Sequence, residues 1–533
     1  MTSPLLLLGD EAIARGAIDA GISGCYAYPG TPSTEILEFI QGWQAKHGDI
    51  LHSEWSANEK TAMEEALGMS YAGRRVLVCM KHVGLNVAAD GFMNAAVTGV
   101  NGGLVIVVAD DPSMHSSQNE QDSRYYAKFA LVPCLEPANQ QEAYEITRLG
   151  FELSERLNVP VMLRLTTRLA HSRANVRTAA PLPQRPVQMP DNARRFVLLP
   201  GIARRNYAAL VARQPEMIRA AAESPFNALL PGADRTLGIL AAGIGFNYLN
   251  ESFGGPCPHP VLKLSQYPLP PELLKSFLES CDEVLVLEDG YPLLEEALHG
   301  PAGLNPRIHG RIDGRLPRTG ELTPEHVAKA LGRTLPPSAE PSPLLRQRPP
   351  RMCDGCPHID AYKALLEALA ETGPGHVFAD IGCYTLGALP PFEAINSCVD
   401  MGASISMAKG AADAGFLPAV AVIGDSTFTH SGLTPLLDAV YADSPITVFI
   451  LDNGTTGMTG GQTSLATGRL EQVCAGLGVA PEHIRTITPL PKQHAENVRV
   501  LKEEIYGHAG LSVIIARREC IQTARLKTPG RKT

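Results

Sequence analysis

The chain reads as a succession of short apolar runs separated by longer stretches of helical period. Leu5 to Leu8, Gly24 to Tyr28, Val76 to Met80, Leu104 to Val108 and Val159 to Leu163 are the first of these runs. Each is too short for a buried helix and is followed by an amphipathic stretch, which predicts parallel strands covered by helices in a doubly wound sheet. After a Pro-dense stretch from Ala180 to Pro190 the pattern resumes, with strands at Leu237 to Ala241 and Glu283 to Leu287 and helices at Asn247 to Glu251 and Pro271 to Glu279. A second Pro-rich stretch, Leu335 to Pro350, precedes a third region with strands at Ala419 to Ile423, Ile446 to Leu451 and Leu511 to Ala516. Pro-dense segments lack the N–H groups that a central strand donates, so both read as linkers. The pattern therefore predicts three doubly wound α/β domains, 1–178, 196–334 and 351–533, joined by linkers 179–195 and 335–350.

The third region carries the most chemistry. Its strand at Ala419 to Ile423 ends in Gly424-Asp425, a helical stretch runs from Leu433 to Tyr441, and the strand at Ile446 to Leu451 ends in Asp452-Asn453. Ligands of parallel sheets gather beyond the carboxyl ends of the strands, so Asp425 and Asn453 are expected side by side at a binding site. A carboxylate, an amide oxygen and a nearby backbone carbonyl form one face of an oxygen octahedron, and two phosphate oxygens and a water complete it, as for Mg²⁺ carrying a diphosphate. Gly-Asp after a strand is by itself ordinary turn chemistry. The Asp-Asn pair after the next strand changes the reading, because the two together resemble the thiamin diphosphate motif, with Ser426 where the last glycine of Gly-Asp-Gly is common. That resemblance makes Asp425, Asn453 and the carbonyl of Thr455 the Mg²⁺ ligands. It also implies a pyrimidine-binding first domain and a diphosphate-binding third domain flanking a middle domain like the C-terminal one of transketolase. Gly402-Ala403-Ser404, before a helix from Ile405 to Ala414, either offers backbone N–H groups to the diphosphate or is a close-packed helix start. Gly382 and Ser426 complete the expected cofactor lining.

Composition narrows the class. The 533 residues are 44% hydrophobic and 19% charged, as in a soluble globular enzyme, and the net charge of −9 with no basic stripe argues against nucleic acid as a partner. Arg525, Lys527, Arg531 and Lys532 read as a solvated tail. The start, MTSPLLLLGDEAIARG, has no basic region and only four leucines before Gly9, which predicts a first strand and not a signal peptide. No apolar run reaches the length of a membrane span, so a cytoplasmic protein is expected. Eleven cysteines, an odd number, then point to a reducing compartment where clustered cysteines serve metals or catalysis.

Cys353 and Cys356 form a Cys-x-x-Cys before a helix, for which zinc, a redox pair and chance compete. Cys383 lies in Asp380-Ile-Gly-Cys after a strand, and Cys520 follows the last strand. Four cysteines at strand exits and loops can converge on a [4Fe–4S] cluster, with Cys398 the rival for the fourth place. Cys25, Cys79, Cys134, Cys257, Cys281 and Cys474 read as small apolar residues. A thiamin cofactor also needs a carboxylate at N1′ of its aminopyrimidine, to favour the imino tautomer whose nitrogen takes the C2 proton. Glu59, at the start of a helix in HSEWSANEKTAMEEALGMSYAGRR, is preferred for this over Glu54, while Glu64 and Glu65 are expected to face solvent. The turn Tyr28-Pro29-Gly30-Thr31-Pro32-Ser33 closes the second strand and opens a helix that Thr31 or Ser33 can cap.

The stretch from Lys81 to Ala127 is polar beyond the needs of a loop, with His82, Asp110, Asp111, His115, Ser116, Gln118, Asn119, Asp122 and Arg124. Together with the turn at 28–33, Cys353-x-x-Cys356-Pro-His and Gly424 to Gly432, it makes nearly the whole chain resemble the large-subunit family of indolepyruvate ferredoxin oxidoreductases. The resemblance implies oxidative decarboxylation of an arylpyruvate with coenzyme A, giving an arylacetyl-CoA, CO₂ and two low-potential electrons. It places Thr31 facing the substrate and Glu59 on the pyrimidine as catalytic residues, and makes Cys353, Cys356, Cys383 and Cys520 the cluster ligands. It also implies a smaller beta subunit, a heterotetramer, and a cofactor held between first and third domains of two chains. Large subunits of this family continue into a ferredoxin-like domain, whereas this sequence stops a few residues after Cys520. A partner is therefore expected as electron acceptor, either ferredoxin or another iron–sulfur or flavin protein. Two other readings stand beside this one. A non-oxidative thiamin decarboxylase is opposed by the four cysteines, and a non-catalytic subunit with a vestigial site is opposed by intact Glu59, Asp425 and Asn453.

Overall fold

The structure, a computed structural model, describes residues 4–48, 51–253, 255–303, 305–334, 340–346 and 349–527. Positions 335–339 and 347–348 of the expected second linker, and Arg531 and Lys532 of the basic tail, lie outside the described residues. The chain forms two compact units, Met1–Ala339 and Glu340–Thr533.

The first unit contains a seven-stranded sheet in the spatial order Gln266–Tyr267, Cys134–Leu135, Val161–Thr166, Leu104–Asp110, Val76–Lys81, Gly24–Ala27 and His52–Trp55. All neighbours are parallel except the first pair. The central strands VLVCMK and LVIVVAD are buried at every position, which explains their unbroken apolar reading. His52–Trp55, on the edge, is half exposed and carries no such signal. The expectation that Leu5–Leu8 opens this sheet is corrected: the strand pairs antiparallel with Arg173–Val176 in a separate ribbon, with Leu5 and Leu6 on the surface. Two exposed leucines cannot belong to a strand covered on both faces.

A five-stranded sheet follows in the same unit, ordered Ile308–His309, Glu283–Leu287, Leu237–Ala242, Val261–Leu264 and Ala228–Leu230, parallel but for the last strand. One apolar cluster runs from Leu7 to Ala330 through both sheets. Gln266–Tyr267, from the middle region, extends the first sheet, so the first two regions form a single body. The stretch 177–190 contains no helix or strand and lies along the first sheet's helices, where the Gln188 N–H donates to the Ala72 carbonyl at 2.9 Å.

The second unit is a six-stranded, wholly parallel sheet in the order Ser397–Cys398, Val377–Ala379, Ala419–Gly424, Ile446–Asp452, Ser512–Arg517 and Ile484–Ile487. Alternate residues of one strand serve two cores. Val420 and Val422 face one, while Ala419, Ala421 and Ile423 face the other. Covered on both faces, these strands deliver Gly424 and Asp452 side by side at the same edge of the sheet. Among the described residues, no helix is long and apolar enough to cross a membrane.

Candidate functional site

Asp425 follows the Ala419–Gly424 strand and is 2% exposed. Its Oδ2 is buried without a hydrogen-bond partner. Burial, reinforced by the neighbouring Asp452 charge, pushes its carboxyl up to about 7. A buried carboxylate oxygen with no donor is the arrangement a cation relieves. Beside it, the Asn453 Oδ1 accepts the Thr455 N–H at 3.0 Å, which turns the chain so that Thr455 follows in a buried position. The Thr456 hydroxyl donates to Ser426 Oγ at 2.9 Å, tying the two strand exits together. An adjoining cavity of about 480 Å³ is lined by Asn453, Gly454, Thr455, Thr463, Arg517 and Lys527, among others.

His358, whose only sequence signal was its place after Cys356-Pro357, proves to belong to this site. Its Nε2 lies 3.2 Å from Asn453 Nδ2. Burial lowers its pKa to about 4, so the ring stays neutral and can accept from the amide, which turns the Asn453 oxygen to the Thr455 N–H and leaves its second lone pair for a metal.

The turn Gly402-Ala403-Ser404 does start a helix, Ala403–Asp413, and Gly402 is required there: its φ is +90° and a Cβ would lie 2.4 Å from Ser431 Cβ. The Ser404 N–H and hydroxyl, however, both meet Asp380 Oδ2, at 3.4 and 2.6 Å. This helix start thus holds a carboxylate of its own chain. Burial raises Asp380 to about 7 against the pull of the Ser404 and Tyr384 hydroxyls. Gly382 lies in the loop between Asp380 and Cys383, against the Tyr384 ring that also covers Gly424.

The structure brings the four expected cysteines together. Burial raises the Cys383 thiol to about 12, and the charges of Cys356, Cys520, Cys353 and Asp425 add to the effect, so all four groups lie within electrostatic reach of it. Burial, Cys353 and Cys520 likewise raise Cys356. The Cys520 N–H donates to the Asn453 carbonyl at 3.1 Å, which sets the Cys520 backbone against that of Asn453. Gln522 Nε2 lies 3.4 Å from Cys353 Sγ. Cys398 is not part of the group: its thiol meets the Asp380 carbonyl and its charged neighbours are Asp380 and Asp400. The four sulfurs do not close to the spacing of donors around one ion. Four thiols contributed by separate loops are a donor set that zinc or an iron–sulfur cluster can use.

In the first unit Glu59 is the first residue of the helix Glu59–Tyr71, 5% exposed, behind an Asn58 cap that accepts the Thr61 N–H. A Cβ at Gly84 would lie 2.5 Å from Glu59 Oε1, so a glycine there lets the helix starting at His82 reach the carboxylate. The rivals are engaged elsewhere: Glu54 with His52 on the surface, Glu64 with Lys60, and half-buried Glu65 with the Ser56 hydroxyl. Ser33 is the cap residue of the helix Thr34–His47 but makes no side-chain cap bond; its hydroxyl donates to the Gly30 carbonyl instead. The Thr31 carbonyl lies 3.4 Å from Ser116 Oγ. Close to this turn stands Lys81, a residue that pattern reading passed over as the end of an apolar strand. It is 8% exposed, and its Nζ donates to the Ser116 carbonyl at 2.6 Å. Burial lowers its pKa to about 8 despite the Asp111 charge.

Comparison with known proteins agrees with this chemistry. Residues 15–216 match the family described as pyruvate flavodoxin/ferredoxin oxidoreductase, thiamine diP-bdg, and residues 380–488 match the thiamine pyrophosphate enzyme C-terminal TPP binding domain. Fold, site and matches define a thiamin diphosphate-dependent 2-oxoacid oxidoreductase. In fold the chain is similar to the 2-oxoglutarate:ferredoxin oxidoreductase from Magnetococcus marinus, solved with 2-oxoglutarate, coenzyme A and succinyl-CoA bound. That match has a TM-score of 0.50 and 16% identity, over 62% of this chain and 65% of that one. In sequence it is 40% identical to indolepyruvate oxidoreductase subunit IorA of Methanothermobacter thermautotrophicus, over 97% of this chain and 87% of the relative. To the same subunit of Archaeoglobus fulgidus it is 39% identical, over 97% and 86%. The chain belongs to the indolepyruvate oxidoreductase subunit IorA family.

Proposed function

We propose that the chain is the large subunit of an oxidoreductase that oxidatively decarboxylates an arylpyruvate with coenzyme A, yielding an arylacetyl-CoA, CO₂ and two low-potential electrons. The observation that carries this reading is in the second unit, where Cys383 feels the charges of Cys353, Cys356, Cys520 and Asp425, and an Asp425 oxygen is buried without a donor. A non-oxidative decarboxylase has no use for the thiols. Asp425, Asn453 and the Thr455 carbonyl would hold Mg²⁺ with the diphosphate, and His358 orients the Asn453 amide. Glu59, 5% exposed and closely approached by the Gly84 backbone, would hold the proton shared with the pyrimidine ring. When bound, thiamin diphosphate supplies the carbanion that the reaction needs.

Thr31 and Lys81 would receive the substrate carboxylate. Lys81 is a buried ammonium hydrogen-bonded to a carbonyl and a hydroxyl, not to a carboxylate, and so suits an anion. Regions 1–178 and 351–533 act as the pyrimidine and diphosphate domains, with Cys353, Cys356, Cys383 and Cys520 on a [4Fe–4S] cluster. A cluster takes one electron at a time, so a second subunit and a further iron–sulfur or flavin carrier complete turnover.

The test is anaerobic purification with the partner subunit, followed by a screen of 2-oxoacids against a viologen dye with and without coenzyme A. About four irons per large chain and CoA-dependent dye reduction with arylpyruvates are expected. Serine at any of the four cysteines should lower the iron, while serine at Cys474 should not. A colourless, iron-free enzyme releasing an aldehyde would establish the non-oxidative decarboxylase.

A further inference from the structure

The first unit holds a second cluster of ionisable groups, away from Glu59 and Lys81. Asp10 stands in the first turn of the helix Gly9–Asp19, Glu35 in the first turn of Thr34–His47, and His171 ends the short helix Thr167–His171. One donor atom of each lies within 4.8 Å of the other two, and His171 Nε2 is 3.4 Å from Glu35 Oε1. Asp10 is fully buried, and neither of its carboxylate oxygens has a hydrogen-bond partner. Glu35 Oε2 is also buried without one. Three buried carboxylate oxygens without donors, on two residues that approach each other this closely, are costly unless a cation or a proton joins them.

We propose that Asp10, Glu35 and His171 bind one divalent transition-metal ion, with Zn²⁺ the best match to the donors. Two carboxylates and a neutral imidazole balance a doubly charged ion, and this mixture of oxygen and nitrogen suits zinc better than Mg²⁺ or Ca²⁺, which take oxygen alone. Asp10 comes from the interior, whereas the Glu35 and His171 side chains are 35% and 34% exposed, so the ion can enter from outside. A cavity of about 320 Å³ beside His171, lined by His115, Thr167, Arg168, Ser172 and Glu321, leaves room for water as a fourth ligand. Arg168 does not compete for the carboxylates, because it pairs with Glu321.

The competing explanation is a proton shared by Asp10 and Glu35, with His171 paired to Glu35. Burial and the Glu35 charge hold the Asp10 carboxyl well above its ordinary range, as such a proton requires. The two explanations separate cleanly. Full-length, cofactor-loaded protein is incubated with excess Zn²⁺, desalted, and its zinc counted for wild type, Asp10→Asn and His171→Ala. Each variant should hold one zinc fewer per chain than wild type and should lose the part of the Zn²⁺-dependent rise in melting temperature that this site provides. His171 is at the surface, so His171→Ala keeps the fold even if Asp10→Asn does not. The same zinc count and the same thermal shift in wild type and His171→Ala would overturn the site and leave the shared proton as the explanation. Counting differences between variants keeps zinc taken up by the cysteines out of the result, and Cys353→Ser, which alters one of the four cysteines, should keep the Asp10 ion.

Discussion

Two buried aspartates show how this chain treats charge in its two units. Asp122 and Asp425 are 4% and 2% exposed, yet one is held down and the other pushed up. Burial raises both. At Asp122 the charges of Arg124 and Arg164 outweigh it and hold the carboxyl at about 2. Arg124 bonds it at 2.5 Å, Arg164 stands 3.6 Å away, and the Tyr291 N–H adds a bond at 3.0 Å. Glu136, Asp110 and Glu288 complete this buried network, which ties the seven-stranded sheet to the middle region. At Asp425 the charge that acts is another carboxylate, Asp452, and that one is already paired with Arg517 at 2.6 Å. Asp122 is neutralised by arginines of its own chain, whereas the charge acting on Asp425 is of like sign and disfavours its ionised form, as at sites that await a cation.

The comparison breaks most visibly on stability. Asp122→Asn leaves two buried arginines short of a counter-ion and should cost about 3–5 kcal/mol, measured by denaturant unfolding of the first unit's transition. Asp425→Asn should cost nothing in the cofactor-free protein at pH 8 and can stabilise it, since it removes a buried charge. A loss at Asp425 as large as that at Asp122 would refute the distinction. Next in size is cofactor binding: Asp425→Asn should weaken Mg²⁺-dependent thiamin diphosphate binding by about 100-fold, roughly 3 kcal/mol for a charged contact, while Asp122→Asn leaves it unchanged wherever the protein is folded.

The two groups also respond oppositely to pH. The folded pKa of Asp122 is depressed, so its contribution is present above its unfolded value near 4 and is lost as pH falls toward about 2. The folded pKa of Asp425 is raised to about 7, so in the cofactor-free protein its destabilising effect grows as pH rises toward 7. Mg²⁺ must displace the proton below that point. Apparent Mg²⁺ affinity, followed by titration calorimetry with thiamin diphosphate, should therefore rise about tenfold per pH unit from 5 to 7 and level off above. A flat profile would mean that Asp425 is ionised without its metal. The smallest effect concerns orientation: His358→Ala should weaken Mg²⁺ binding about tenfold, and His358→Gln, which can still accept from the Asn453 amide, should recover most of it.

Local sequence determined much of this protein. The central strands were legible because a strand covered on both faces must be apolar at every position, and Ala419–Gly424 and Ile446–Asp452 end where their polar exits begin. The helix start at Glu59 was legible because a helix start carries its own signal, and the helix begins at that residue. What the tertiary structure decided are the relations that no local period contains. Leu5–Leu8 has the composition of a strand but not the address of its partner, which lies at Arg173–Val176. Gln266–Tyr267 joins the sheet of the preceding region, so two expected domains form one body. Lys81 and His358 occupy positions that read as a strand end and a helix start, and their chemistry appears only when Ser116 and Asn453 fold against them. The Ser404 hydroxyl at the helix start after Gly402 meets Asp380, a contact that local reading of Gly402-Ala403-Ser404 left open, for the same reason. Hydrophobic period records how much of a segment is buried; which polar groups meet there depends on the order and crossing of strands far apart in the chain.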